Sequence, residues 1–474
     1  MKKKILILPH SMRIKFFDDI KRSLKKHDVL IFRGEKEDIN NYEIDLKNQD
    51  LFFPSKKKLF NFLSTENISL KNEIKKLEQN LSISLNRILL SNERDIGYFY
   101  SSNSYSFVRE KLFCNKHNKL KISSVLTQGA NLIQNFLKKE KFDLIISGNN
   151  ASFYYFLCSL FSKSMKIPFI VSRRSKIIKK HFYWSKDHFM WNEKLEYDFK
   201  RNLKKKPSSE AFKFINSFRR VPKTVSFVEE NWNNKKKFYT NNIKNILNII
   251  VNNTLQIFNK KIIRIPLFPR IKNFLITAIN RTNFSMYKDY TDKELVELNY
   301  IYFPLHKEPE LAQNFLDPHI YNQYEVVKLL SLFIPFNYKL FVKEHRLNHG
   351  RRTKEFLEKI TNLHNVVIIN PFENQFKYLK NAKLVVADNG TSGWEAMILK
   401  TPVLNISKAF YDVIVKNRNK DFSVMDSDIL NVLKKKKCPS DFEIASLYDA
   451  EKNNCYKESL SGIKKSLNKI ISKI

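Results

Sequence analysis

The stretch KLVVADNGTSGWEAMILKTPVLNIS, residues 383–407, changes its local pattern three times. The apolar run Leu384 to Ala387 leads into a turn with Gly390 and Gly393, which is followed by residues at helical spacing and by a second apolar run. The 474-residue chain has only eight glycines, so two within four residues mark a place that needs backbone freedom or close approach. The stretch therefore predicts a strand, turn, helix and strand of a parallel sheet.

The same alternation of short apolar strands and amphipathic helices extends through both halves of the chain. We predict strands at Lys3–Pro9, Asp28–Gly34, Phe142–Asn150, Ile167–Ser175, Leu298–Pro304, Tyr338–His345, Asn365–Asn370, Lys383–Asp388 and Thr401–Ser407, with helices between them. Strands that alternate with helices indicate a parallel sheet covered on both faces.

The fold class predicted from this pattern is α/β, with two Rossmann-like domains. A chain of this length exceeds the size at which one core usually keeps growing, which favours two domains. We place an N-terminal domain at residues 1–296, a C-terminal domain at 297–440 and a helical segment at 441–474. The segments from about Glu35 to Glu140 and from about His181 to Glu297 are expected to add mainly helices.

The chain carries 85 Lys and Arg against 47 Asp and Glu, a formal net charge of +38. A general bias towards Lys and Asn explains most of this excess, and the remainder suits anionic partners such as an inner-membrane surface or phosphate-bearing substrates. No nucleic-acid partner is expected, because no known nucleic-acid-binding motif is found. Short apolar runs and four scattered cysteines predict a soluble cytoplasmic protein, suited to peripheral contact with the inner face of the membrane.

Polar residues just beyond the predicted strands are the candidate ligand contacts, because ligands bind outside the carboxyl ends of strands in such sheets. In the first half these are His10, Ser11, Gly148, Asn149, Arg173 and Arg174; in the second half they are His306, Glu308, Glu310, Glu344 and His345. Polar clusters after several strands of one sheet indicate a binding edge.

The turn DNGTSGWEA, residues 388–396, is predicted to bind a phosphate group. Gly390 permits the sharp turn, Thr391 or Ser392 serves as helix N-cap, and Gly393 leaves the first helical turn bare where something approaches. Unpaired backbone N–H groups then face outwards, and Glu395 is placed to reach a ribose hydroxyl or to cap the helix.

In these segments the chain resembles the capsular and surface polysaccharide glycosyltransferases of the GT-B type, the group that includes the capsule Kdo transferases. The matching stretches are YFPLHKEPE at Tyr302–Glu310, YNQYEVVKLLSLFIP at Tyr321–Pro335, YKLFVKEH at Tyr338–His345 and NGTSGWEAMILKTPVLNIS at Asn389–Ser407. They cover about 110 residues of the C-terminal half, while the N-terminal half agrees only in its strand pattern.

The resemblance implies two Rossmann-like domains that face a cleft, as in GT-B proteins. It also implies a nucleotide-sugar donor such as CMP-Kdo, bound mainly by the C-terminal domain, and a glycan or lipid-linked acceptor held by the N-terminal domain. By motif, Glu344 and His345 approach the nucleotide phosphate, and Glu395 binds the ribose. Gly390, Thr391, Ser392 and Gly393 form the phosphate turn. The family usually has proline where this chain has Arg346, which we interpret as an additional phosphate contact.

Chemistry of this class stabilises the charge that grows on the leaving phosphate, and it needs no divalent metal or other cofactor. A carboxylate or histidine must accept the proton of the acceptor hydroxyl, and the candidates are His306, Glu308, Glu310 and His10. The sequence does not choose among them, nor between a retaining and an inverting course.

Two other functions are compatible with the sequence. A sugar-nucleotide 2-epimerase or a polyol-phosphate transferase also combines a phosphate turn with two Rossmann-like domains, and fold alone does not decide the reaction. A protein without catalysis that binds nucleic acid or an anionic membrane is supported only by the net charge.

Overall fold

The computed structural model describes most of the chain. The described residues are 2–10, 13–36, 38–55, 59, 68–85, 87–88, 116–150, 152–187, 189–223, 275, 279–280, 285–307, 316, 322–350, 352–419 and 421–474. Of the candidate residues, Ser11, Glu308 and Glu310 lie outside this set.

The strands and helices have the following bounds. The strands are β1 Lys4–Leu8, β2 Asp28–Lys36, β3 Glu43–Asp45, β4 Asp50–Pro54, β5 Leu144–Ser147, β6 Phe169–Arg174, β7 His181–Ser185, β8 Tyr300–Pro304, β9 Lys339–Lys343, β10 Val366–Ile369, β11 Leu384–Ala387, β12 Val403–Asn405, β13 Asn417–Arg418 and β14 Tyr456–Lys457. The helices are α1 Ile14–Ser23, α2 Ile68–Leu81, α3 Lys116–Glu140, α4 Phe153–Ser164, α5 Leu195–Asn202, α6 Ser209–Arg220, α7 Asp292–Glu297, α8 Gln323–Phe333, α9 Lys354–Thr361, α10 Gln375–Asn381, α11 Ser392–Ile398, α12 Met425–Lys435, α13 Asp441–Asn454 and α14 Leu460–Ile471.

The second half folds into a six-stranded sheet of order β10-β9-β8-β11-β12-β13, in which every pairing is parallel. Counted from its own first strand, β8, the order is 3-2-1-4-5-6, which is the Rossmann order. The order reverses between β8 and β11, and that gap is the place where doubly wound sheets bind ligands. The predicted α/β class and the Rossmann-like domain are confirmed by this topology.

The first half forms an eight-stranded sheet of order β14-β7-β6-β5-β1-β2-β4-β3. Its inner strands β4, β2, β1, β5 and β6 are parallel and repeat the 3-2-1-4-5 order, so a second reversal lies between β1 and β5. The outer strands β3, β7 and β14 pair antiparallel.

The expectation of mainly helical structure over residues 35–140 and 181–297 was wrong for three short strands. β4 carries Leu51 and Phe53, both fully buried, and extends the parallel sheet beyond β2. β3 pairs antiparallel with β4, and β7 pairs antiparallel with β6. Runs of three to five residues give too little periodicity to be separated from loops, so only pairing with a neighbour identifies them.

Residues 286–297 already pack on the second sheet. Lys288 forms an isolated parallel bridge with Ile369 of β10, and Leu295 of α7 is fully buried in the core under the same sheet. The second domain therefore begins earlier than residue 297, where the start of the strand pattern had suggested the boundary.

The last 34 residues return from the second domain to the first. α13 packs against α5 and α6, and β14 pairs with β7. α14 packs on α1, and its residues Ile463 and Leu467 are buried in one apolar cluster with residues of that helix. Arg219 of α6 donates to both carboxylate oxygens of Asp441 at 2.7 Å, which ties α6 to the start of α13. None of the helices that the structure describes is long and apolar enough to cross a membrane.

Candidate active site

The reversal point of the second sheet holds a histidine–aspartate pair. His306 lies two residues beyond the end of β8, and Asp388 directly follows β11. His306 Nε2 is hydrogen-bonded to Asp388 Oδ1, and the two side chains are only 12% and 3% exposed. The aspartate fixes the orientation and the tautomer of the ring, so any proton that the imidazole exchanges with a ligand passes through Nδ1.

The backbone of His306 is held from three directions. Its N–H donates to Gln323 Oε1 at 2.6 Å, and the Gln323 amide donates back to its carbonyl at 3.2 Å. The same carbonyl accepts from Arg352 Nη2 at 3.0 Å and from Asn348 Nδ2 at 3.2 Å. A ring positioned by so many bonds needs little reorganisation before it reacts.

Arg352 also forms a buried ion pair with Glu344, at the end of β9. Arg352 Nε donates to Glu344 Oε2 at 2.6 Å, and the two side chains are 5% and 0% exposed. Glu344 Oε1 accepts from the N–H of His345 at 2.6 Å. Because this carboxylate is fully buried and paired, its role is to hold the loop together, in place of the predicted contact with a nucleotide phosphate.

Two further cations of this edge are bound to backbone carbonyls. Lys343 donates to the carbonyls of Asn370 and Pro371 at 3.1 and 2.9 Å, and burial lowers the pKa of its amine to about 7. Arg346 donates to the carbonyls of Pro371, Phe372 and Glu373 at 3.2–3.4 Å. Arg346 thus binds the loop after β10, whereas the sequence predicted a phosphate contact.

The two glycines of the quoted turn serve close approach within the protein. A Cβ on Gly390 would lie 3.3 Å from Cε1 and Nε2 of His306, so the missing side chain makes room for the imidazole ring. A Cβ on Gly393 would lie 2.2 Å from the hydroxyl of Tyr411, which donates to the carbonyl of Asp388 at 2.9 Å. The approach predicted at Gly393 is therefore made by Tyr411 and not by a ligand.

Replacing Gly393 by alanine should lower the free energy of unfolding by about 1–3 kcal/mol, since the methyl group must displace the ring of Tyr411. Denaturant unfolding of Gly393→Ala, Tyr411→Phe and the double variant measures this cost. Removal of the hydroxyl relieves part of the clash, so the double variant should lose less than the sum of the single losses. Strictly additive losses would show that the two positions do not meet.

Glu395, predicted to bind a ribose, is 2% exposed in the first turn of α11. It accepts a hydrogen bond from Gln375 Nε2 at 2.9 Å, and its side chain also bonds that of Thr391. Burial raises the pKa of its carboxyl to about 7, and the bond to Thr391 opposes this rise. Thr391 and Ser392 are half-buried where the helix begins.

The buried carboxyl of Glu395 predicts a pH-dependent stability. Its folded-state pKa of about 7 exceeds the ordinary glutamate value of 4.5, so the unfolded chain ionises first and stability falls as pH rises between these values. The free energy of unfolding of Glu395→Gln, relative to that of the wild type, should rise by about 3 kcal/mol from about pH 4 to about pH 8. Denaturation midpoints measure this difference, with Glu355→Gln, whose side chain is 74% exposed, as control. Parallel pH profiles would contradict the assignment.

The first sheet brings together His10 and Gly148 at its own reversal point. A Cβ on Gly148 would lie 2.7 Å from both N and Cβ of His10, so the loops after β1 and β5 are in contact. This contact agrees with the prediction that residues just beyond the strands collect at one edge of the sheet. Arg173 donates to the carbonyl of Met190 at 3.4 Å, and Arg174 pairs with Glu458 at 3.0 Å. Both arginines therefore bind protein groups.

Lys176 connects the two sheets. It follows β6 of the first sheet, and its Nζ donates to the carbonyl of Asn389, in the turn after β11, at 3.1 Å. Sequence reasoning missed this residue together with Asp388, Gln323 and Arg352. Among these four residues, only Asp388 could have been recognised in the sequence as a site residue, because it directly follows the buried apolar run Leu384 to Ala387.

Asp426 and Asp428 both lie in the first turn of α12. The N-cap position of α12 is Val424, and Asp428 accepts a hydrogen bond from Asn419 Nδ2 at 2.9 Å. Within the part of the chain that the structure describes, no group of three His, Cys, Asp or Glu side chains could hold a metal ion.

No family model matches the chain, and no curated protein matches it. Solved structures with some likeness include the beta Kdo 2,7 transferase KpsC of Thermosulfurimonas dismutans, at 12% identity and a TM-score of 0.31, over 67% of this chain and 79% of that one.

Two other structures align along the whole chain. The UDP-GlcNAc 2-epimerase of Neisseria meningitidis bound to UDP-GlcNAc has 12% identity and a TM-score of 0.29, over 100% of both chains. The sucrose-phosphate synthase of Thermosynechococcus elongatus has 10% identity and a TM-score of 0.31, over 100% of this chain and 99% of that one.

Proposed function

We propose that this protein is a glycosyltransferase of capsular or surface polysaccharide biosynthesis, which transfers a sugar from a nucleotide-sugar donor to a glycan or lipid-linked acceptor. The observation that carries the proposal is the His306–Asp388 pair at the reversal point of a 3-2-1-4-5-6 parallel sheet. Of the segments that resemble the capsular transferases, Tyr302–Glu310 contains His306, and Asn389–Ser407 begins directly after Asp388.

His306 is assigned as the general base. As the bond between the anomeric carbon and the donor phosphate breaks, the acceptor oxygen bonds to that carbon and its proton passes to Nδ1 of His306. Asp388 keeps Nε2 protonated and the ring in place. The leaving nucleotide phosphate carries away the electron pair of the broken bond, and it is placed beside the turn formed by residues 389–392.

The excess of basic side chains supports a site of action at an anionic membrane surface, where a lipid-linked acceptor would be found. Lys434 to Lys437 are all exposed at the end of α12. Positive side chains close to an anionic surface add to binding and lose their effect in high salt.

Thermal unfolding with CMP-, UDP- and GDP-sugars tests the proposal. A donor at 100 times its Kd should stabilise the folded protein by about 2.7 kcal/mol. The stabilising donor is then incubated with oligosaccharide or lipid-linked acceptors, and products are identified by mass spectrometry. An acceptor that gains the mass of one sugar residue would support transfer.

Other results of these experiments would support a different function. Conversion of the donor into an isomeric sugar without any acceptor would identify an epimerase. Stabilisation by none of the nucleotide-sugars, together with tight and strongly salt-dependent RNA binding, would identify a nucleic-acid-binding protein.

A further inference from the structure

The loop that carries Lys176 is rigidly built. Ser175 Oγ accepts from the N–H groups of Ile177 and Ile178 at 3.2 and 2.9 Å, and its backbone N–H donates to the carbonyl of His181 at 2.9 Å. The side chain of Ser175 also bonds that of Glu451 in α13, a carboxyl that is only 2% exposed. The backbone on both sides of Lys176 is therefore fixed.

The same loop is packed into the second domain. Ile177 and Ile178 are 7% and 8% exposed and belong to one apolar cluster with Trp394 of α11 and with Tyr411. Lys176 itself is half-buried, and its Nζ lies 5.4 Å from the centroid of the Phe410 ring. Packing thus directs an ammonium group of the first domain at the turn after β11.

Three other cations of this edge are committed to groups of the second domain. Arg352 pairs with Glu344, Arg346 donates to carbonyls of the next loop, and Lys343 is 5% exposed beneath that loop. The helix α11 has only seven residues, so its dipole is a weak source of positive charge at the turn. A formal positive charge directed at this turn would stabilise a leaving phosphate there.

We propose that Lys176 of the first domain binds the phosphate of the nucleotide donor held at the Asn389 turn of the second domain. This inference rests on the proposed function, because it assumes a nucleotide-sugar at that turn. One N–H of the ammonium holds the Asn389 carbonyl at 3.1 Å, and the positive charge neutralises the phosphate as the donor bond breaks. The donor then contacts both domains at once.

The test compares nucleotides with their nucleosides. Wild type, Lys176→Met and Lys176→Arg are titrated calorimetrically with CMP, UDP and GDP and with the matching nucleosides cytidine, uridine and guanosine. Lys176→Met should weaken binding of the nucleoside monophosphate or diphosphate that the wild type prefers by about 10- to 100-fold. Binding of the matching nucleoside should change less than twofold, and Lys176→Arg should recover most of the affinity.

Lys179→Met is the matched control, because this lysine lies three residues further on and its side chain is exposed. It should bind nucleotides as the wild type does. Equal losses for nucleotide and nucleoside in Lys176→Met would mean that Lys176 only shapes the loop, and unchanged nucleotide binding would remove it from the site. Absence of nucleotide binding by the wild type would instead refute the proposed function.

Discussion

Replacement of His306 by glutamine is expected to reduce the rate of sugar transfer by about 10²- to 10⁴-fold, the range for loss of a general base. The glutamine amide can still donate to Asp388 and fill the space beside Gly390, but it cannot accept the proton of the acceptor. The effect should fall on kcat, with little change in the affinity for the donor. Initial rates at saturating donor measure it.

His306→Ala should show a similar loss of rate together with lower stability, because Asp388 loses a buried partner. His364→Ala is the control for a histidine outside the site, since His364 is exposed at the end of the helix before β10. Transfer at the wild-type rate by folded His306→Gln would exclude His306 as the base and leave His10 and the two glutamates after His306 as candidates.

Replacement of Arg352 by alanine is expected to be the most destabilising single change around the site, with a cost of about 3–5 kcal/mol. It would leave the carboxylate of Glu344, which is 0% exposed, buried without its counter-charge. It would also remove one of the donors to the His306 carbonyl, so the transfer rate of the remaining folded protein should fall as well. Urea unfolding midpoints and initial rates measure the two effects.

A double variant separates the charge effect from the loss of packing. Glu344→Gln with Arg352→Met removes both charges and keeps most of the volume, so it should be more stable than Arg352→Ala alone. Lys200→Ala, which breaks an exposed ion pair with side chains 69% and 61% exposed, should change the midpoint little. A midpoint of Arg352→Ala close to that of the wild type would mean that water or another cation reaches Glu344.

The local sequence predicted most of the second domain. Alternating apolar runs and helical spacing placed β8 to β12 within two residues of their ends, because each of these strands is buried and bounded by a clear turn. β4 and β7 were missed, because short strands at or near the margin of a sheet have little pattern of their own.

The candidate site was predicted only in part. His306 and the turn with Gly390 lie together, as their positions after neighbouring strands implied. Glu344 and Glu395 were assigned to a ligand, but both are buried with protein partners. A carboxylate after a strand looks the same in the sequence whether it faces solvent or an arginine eight residues away.

The sequence by itself therefore determined the strands, their helices and the edge of the sheet at which the polar residues collect, since periodicity and turn residues are local properties. Only the tertiary structure decided which of these residues meet. The His306–Asp388 bond joins positions 82 residues apart, and the Lys176–Asn389 contact joins positions 213 apart in different domains. Such pairs depend on strand order and domain packing, for which no local pattern exists.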